Sequence, residues 1–323
     1  KTGNISRTGD IVRTGTQNSS MAEIDEQVDF IGASLNTYSN GLYASGLKKH
    51  ADELLEIVSD VLINPTFPED ELDKLRKQNI SNLQAGETDP SYISSRVGRK
   101  LRYADHPYGE IPTKSSFENI QRNDCVNYYH TYYKPNQAYL VVVGDVTVDE
   151  ARLFTEKYFG SWEKGEVPEH DYDFPNPAEK RHVAMVNKDD AVQSVISITY
   201  PVNLQPGDPD AISANVMNSI LGGGVFSGYL MQNLREDKGY TYGARSRLSK
   251  DPHVGYFQTG AEVGTDVTDS AIVQFFKEMN RIRNEKVEQE HLDMTKQVIS
   301  GQFARSLEDP RNVARYALNE KRY

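Results

Sequence analysis

The chain has 323 residues, 37% of them apolar, and a formal net charge of −11. That length suggests about two domains with sizeable cores, and the acidic balance argues against a general nucleic-acid binder, whose phosphate contacts need a basic face. A single cysteine, Cys125, excludes an internal disulfide, and no apolar run approaches the roughly twenty residues of a membrane span.

In chain order, Ser20-Met21-Ala22-Glu23 forms a capping box ahead of Met21, Ile24, Val28 and Ile31, whose spacing predicts a helix. Strands are expected at 33–38 and 43–47, joined near Asn40-Gly41 as a hairpin. Ala51, Leu54, Leu55, Val58, Val61 and Leu62 keep helical spacing up to Asn64-Pro65, and a second helix is expected over 67–86. A less regular helical stretch follows Asp89-Pro90 to Tyr103, and Ser115-Ser116-Phe117-Glu118 is read as the cap of a tyrosine-rich helix. Residues 137–146 read as a strand, leading into the capping box Thr147–Glu150 and a helix that ends near Trp162. The proline- and charge-rich stretch that follows reads as an interdomain linker.

Beyond the linker, 183–186 and 195–200 read as strands, and Asp208-Pro209-Asp210 opens a helix carrying Ile212, Val216 and Ile220. The segment 221–243 then combines Gly222-Gly223-Gly224, a short helix with apolar Phe226, Leu230 and Leu234, a Lys238-Gly239 stop, and Tyr240-Thr241-Tyr242. A second hairpin is expected from 242–248 and 255–263 around Asp251-Pro252, with helices over 267–283, 287–307 and 310–323. Hairpins with runs of helices argue for an α+β fold. Lone features have plain structural readings: Cys125 as a small core residue, His106-Pro107-Tyr108-Gly109 as a shaped loop, and the many tyrosines as amphipathic packing.

A glycine loop followed at fixed distance by Leu234-Arg235-Glu236-Asp237-Lys238-Gly239-Tyr240-Thr241-Tyr242 resembles the substrate-clamping segment of insulinase and pitrilysin-type zinc peptidases. Gly32-Ala33-Ser34-Leu35-Asn36 and the stretch around Val143-Gly144-Asp145 resemble that family's first domain. The resemblance implies two tandem α+β domains, each a mainly antiparallel sheet covered by helices on one face. They are expected at 1–162 and 179–323 with the linker at 163–178, the first incomplete at its N-terminal end and the second cut short at its C-terminal end. It further implies that Arg235 holds a substrate carbonyl and Tyr242 donates to the oxyanion that forms as water attacks a peptide bond. Gly222, Gly223 and Gly224 are read either as a surface for an extended peptide backbone or as a helix terminus.

The family's zinc site needs His-x-x-Glu-His and a distant glutamate. No His-x-x-Glu-His occurs among His50, His106, His130, His170, His182, His253 and His291, and the family spacing puts the motif positions on Ser6, Gly9 and Asp10. The distant-glutamate positions fall on Leu75 and Asn82. The reading is therefore a non-catalytic, substrate-binding half of an insulinase-type metallopeptidase, with no metal of its own. Its expected partners are a zinc-bearing homologous half and a peptide, with no nucleic acid. Two other readings stay open: a purely structural member of the core-protein kind, and an active peptidase whose motif lies outside this sequence. The short glycine loop favours a bacterial periplasmic or exported location, with cytoplasm or mitochondrial matrix as the alternative.

Overall fold

A computed structural model of the chain describes residues 11–175, 180–224 and 228–323. Ser6, Gly9, Asp10 and Phe226 lie outside the described residues. Contacts group the chain into two compact units. The first takes the chain through Gln84, Pro112–His170 and Pro310–Arg322; the second takes Ala85–Ile111 and Asp171–Asp309.

The first unit opens on helix α1 (Met21–Phe30), where Ser20 Oγ accepts from the Glu23 amide and the Glu23 carboxylate accepts from the Ser20 amide at 2.8 Å. Ile24 and Val28 form its buried stripe, as the spacing predicts. Strands β1 (Ser34–Tyr38) and β2 (Gly41–Ser45) pair antiparallel with Tyr38 opposite Gly41. Helix α2 (Ala51–Ile63) buries Leu54, Ile57, Val58 and Val61 in the same core. The chain then turns sharply at Phe67, which takes a positive φ of 52° although it is not glycine. Arg122 holds this turn by donating to the carbonyls of Thr66 (2.6 Å) and Phe67 (2.8 Å), and the Phe67 ring sits in the core against Tyr129. Helix α3 (Glu69–Gly86) follows, with Leu75 packed against the core and Asn82 exposed.

Helix α4 (Pro90–Tyr103) starts from the Asp89 cap and crosses into the second unit. It lies along a strand of that unit's sheet, and Ala85–Ile111 group with the second unit by their contacts. Back in the first unit, α5 (Lys114–Glu118) is capped by Thr113, and the tyrosine-rich α6 (Arg122–Tyr132) begins separately after Gln121. The expected cap at Ser115–Glu118 is thus the body of a short helix. Helix α7 (Val148–Phe159) begins at the predicted Thr147–Glu150 capping box. The strand expected at 137–146 is not one: Tyr139, Leu140, Val142 and Val143 are exposed and make no ladder. Apolar, β-branched composition specifies a strand only where a partner strand completes its hydrogen bonds.

The second unit is built on β3 (Gln193–Val202), β4 (Ala244–Ser249) and β5 (Gly255–Gly264), antiparallel in the order β3-β5-β4. The strand expected at 183–186 is absent for the same reason as that at 137–146, with Val183 and Met185 fully open to solvent. One sheet face buries Ile196, Ala244, Phe257 and Val263 against Ala271 and Phe275 of α9 (Thr268–Asn284). On the other face, α4 lies against β3: Gly98 approaches Ser197 and Thr199, and Arg102 Nη1 donates to Thr199 Oγ1 at 2.8 Å. The turn Pro107–Gly109 docks on the β4–β5 connection, where Tyr108 donates its hydroxyl to Asp251 at 3.0 Å and His106 packs edge-on against Tyr108 and Tyr172. His106 is therefore a loop residue, as its neighbour proline implied. Helices α8 (Ala211–Asn218), α10 (Gln289–Ser306) and α11 (Pro310–Arg322) complete the described elements, α11 counting with the first unit.

Candidate functional site

Helix α8 runs directly into a wide π turn over Ser219–Gly223, and a second π-helical stretch spans Met231–Asp237. Sequence spacing predicts an ordinary helix here; the observed wider turn is a form found frequently at functional sites. Leu230 and Leu234 are completely buried beneath it, so the predicted stripe is real at those two positions. The stop is also as read. Gly239 takes a left-handed φ of 64°, its amide donates to the Arg235 carbonyl at 3.0 Å, and the Tyr240 amide donates to the Leu234 carbonyl at 2.9 Å. These bonds satisfy carbonyls that a helix end leaves open.

The three glycines play different parts. A side chain at Gly222 would meet Leu230 Cδ1 at 2.7 Å and the Ser246 backbone nitrogen at 2.9 Å, so this glycine lets the turn lie directly on β4. At Gly223 it would strike the Asn218 side chain, and at Gly224 the Ser219 carbonyl at 2.9 Å. Gly222 is buried while Gly223 is exposed. The close backbone approach that the sequence suggested is, at Gly222, an approach to the chain's own strand.

Arg235 projects from the π-helical stretch with its side chain 38% exposed and Nε 3.5 Å from Glu236. Tyr242 stands at the entry to β4, 93% exposed, and its hydroxyl makes no hydrogen bond among the described residues. Both side chains are thus open to an incoming ligand, and both leave from a segment fixed from below. The fixing residues are ones the sequence reading did not single out. Asn233, buried one turn face away from Arg235, donates through Nδ2 to Glu278 Oε1 at 2.5 Å and to Gln274 Oε1 at 3.1 Å, both on α9. Glu278 is only 2% exposed and also accepts from Arg281 at 3.4 Å. Arg281 in turn lies 3.9 Å from the centre of the Tyr229 ring. A buried carboxylate is tolerated only when paired and hydrogen-bonded, and a helical glutamate, ordinarily solvated, gives no sign of this in the sequence.

The two distant-ligand positions that the family resemblance names offer zinc no carboxylate. Of the two distant-ligand positions, Leu75 offers no donor and is packed against the core, and Asn82 is a neutral exposed amide. Among the described residues no group of three His, Cys, Asp or Glu side chains is placed to hold a metal ion. A polar pocket of about 480 Å³ does lie in the first unit, lined among others by Thr14, Thr16, Ser20, Thr66, Asp70 and Glu71. Its two carboxylates face Lys74 at 3.8 and 2.5 Å. No helix among the described residues is long and apolar enough to cross a membrane.

These features define an α+β protein with two sheet-and-helix domains and a glycine–helix–strand segment in the second. Its fold is that of known structures: it superposes on a protease from Helicobacter pylori with a TM-score of 0.84 at 22% identity, covering 97% of this chain and 77% of that one. The peptidase M16 inactive domain from Pseudomonas fluorescens gives a TM-score of 0.82 at 20% identity, covering 92% and 73%. Residues 119–299 match the family described as Peptidase M16 inactive domain, and residues 11–106 match Insulinase (Peptidase family M16). The chain belongs to peptidase family M16. Among its relatives, the uncharacterized zinc protease YmxG of Bacillus subtilis is 26% identical over 95% of this chain and 75% of its own length. The non-peptidase homolog YmxG of Helicobacter pylori is 25% identical over 79% of this chain and 59% of its own. The beta subunit of the mitochondrial-processing peptidase of Bos taurus is 28% identical over 48% of this chain and 33% of its own.

Proposed function

We propose that this chain is the substrate-holding, zinc-free half of a two-part M16 peptidase, and that it works against a zinc-bearing homologous half that supplies the metal and the attacking water. One observation carries the reading: Arg235 and Tyr242 face solvent from a segment anchored internally through Asn233 and Glu278, while Leu75 and Asn82 stand where zinc chemistry needs carboxylates. A relative named as a non-peptidase homolog and another named as a subunit support it. In this reading the Arg235 guanidinium holds a peptide carbonyl by charge-assisted hydrogen bonds. The Tyr242 hydroxyl, free of any internal partner, donates to the oxyanion that develops on the scissile carbonyl. Gly223 and Gly224 keep the adjoining backbone low beside the peptide. A bacterial periplasmic or exported location belongs to the same proposal and is tested by cell fractionation.

The experiment is co-expression with a neighbouring gene encoding His-x-x-Glu-His, followed by size-exclusion chromatography and peptidase assay of the mixed complex. Tyr242→Phe is expected to lower turnover by about a hundredfold, the usual loss for one oxyanion donor, while shifting stability by no more than about 0.5 kcal/mol. Arg235→Ala is expected to weaken peptide binding as well, because its contact already exists in the ground state. Wild-type kinetics in both variants, or no complex with any motif-bearing partner, would return the chain to a purely structural role.

A further inference from the structure

The sheet of the second unit carries a concentration of positive charge opposite in sign to the whole chain. Along β4, Ala244, Ser246 and the core lie on one face, so Arg245 and Arg247 project together from the other, both exposed. The register places Arg245 beside Gly260 and Arg247 beside Gln258 on β5. A side chain at position 260 would collide with the Ile196 carbonyl, so the sheet beside Arg245 is bare backbone. Across β5 the charge continues. Arg102 of α4 lies 3.9 Å from the centre of the Tyr256 ring, Arg247 lies 5.7 Å from the same ring, and exposed Arg99 follows on α4.

None of these four arginines has a carboxylate within ion-pair distance among the described residues. Two acids of the same unit have other hydrogen-bond partners: Asp251 accepts from the Tyr108 hydroxyl and Glu262 from Ser91 Oγ at 2.8 Å. Burial, with the neighbouring Arg99, holds the Arg102 guanidinium below its ordinary value. Arg99 is held by the Tyr108 carbonyl and Arg102 by Thr199 and the tyrosine rings, which leaves Arg245 and Arg247 exposed, without a carboxylate partner among the described residues, in a chain whose formal charge is −11.

We propose that this face selects acidic, extended peptide segments, with carboxylates at alternate residues pairing to Arg245 and Arg247. Side chains two residues apart on a strand stand about 6.6 Å apart, the same repeat that an extended peptide presents on one side. A polyphosphate or an anionic membrane offers charge too, but neither presents carboxylates at the alternate-residue repeat of an extended chain. The flat floor at Gly260 and the Tyr256 ring suit a peptide backbone. This inference rests on the substrate-holding reading and specifies which peptides that half takes.

Fluorescence anisotropy on the purified chain tests it without a catalytic partner. Labelled peptides about ten residues long, alternating Thr with Glu, Gln or Lys, are titrated at low salt. The Glu peptide is expected to bind about tenfold more tightly than the Gln peptide. That preference is expected to vanish in R245E/R247E, whose positions are exposed and whose melting temperature serves as a fold control, and in about 0.5 M salt. It is expected to persist in Arg235→Ala, although all affinities fall. Equal binding of all three peptides that Arg235→Ala still weakens would overturn the charge selection and leave the clamp intact. Retention of the Glu preference in R245E/R247E would overturn the site. Displacement of the Glu peptide by a single-stranded oligonucleotide or anionic vesicles at equal charge would overturn the peptide assignment. Failure of every peptide to bind would overturn this inference together with the substrate-holding reading.

Discussion

Family resemblance names Arg235 and Tyr242 as candidate positions, but it does not name Asn233 or Glu278, because what marks those two is a contact between residues forty-five positions apart. A glutamate in a helix reads as solvated until its burial is seen. Cys125 was legible for the opposite reason: a lone cysteine among apolar and aromatic residues has few uses other than packing. It is 4% exposed, and burial, with Asp124 beside it, pushes its thiol up from 9.0 to about 11. A raised thiol value means that the folded state favours the neutral form. Its stabilising contribution is fully present below the unfolded value of 9.0 and is lost as pH rises through about 11. Iodoacetamide is therefore expected to leave Cys125 largely unmodified in the native protein near neutral pH and to modify it rapidly in denaturant. Mass spectrometry reads the result, and native labelling at the denatured rate would show that this core opens freely.

At the scale of elements, capped helices and turn-marked hairpins were read well: the boxes at Ser20 and Thr147 and the hairpin at Gly41 all rest on local bonds that the sequence itself contains. The misread elements, 137–146 and 183–186, depend on partner strands, which composition does not supply. The glycine–helix–strand segment lies between these cases, with its stop legible at Gly239 and its π turn packed onto β4 at Gly222. Two substitutions test that packing. Asn233→Ala leaves Glu278 buried with Arg281 as its remaining polar contact, and is expected to cost about 3 kcal/mol. Gly222→Ala pushes a methyl group into the Ser246 backbone and is expected to cost about 2 kcal/mol or more. Urea unfolding measures both, and a loss below about 0.5 kcal/mol in either would mean that the π turn is not held by these contacts.

For the molecule as a whole, the α+β class and family membership were legible, since both follow from element order and from motifs spread along the chain. The exchange of α4 into the second unit was not, because nothing in the sequence of 90–103 distinguishes a helix that covers its own sheet from one that covers another. The proposed zinc-free reading has a direct whole-molecule test. Protein purified without chelator is expected to carry well under one zinc per chain and to leave unstructured peptides uncut, because Leu75 and Asn82 cannot ligate the ion. A stoichiometric metal with chelator-sensitive cleavage would sink the zinc-free reading.

The crossing of α4 also bears on how the chain reaches its native state. During synthesis α4 emerges about ninety residues before β3, the strand it will cover, and α11 of the first unit emerges last of the described elements. The second unit's sheet therefore gains this cover only once β3 has been made, long after the helix itself. Expressing the two halves from a cut at the linker would strand α4 on the wrong fragment, away from the sheet face it covers.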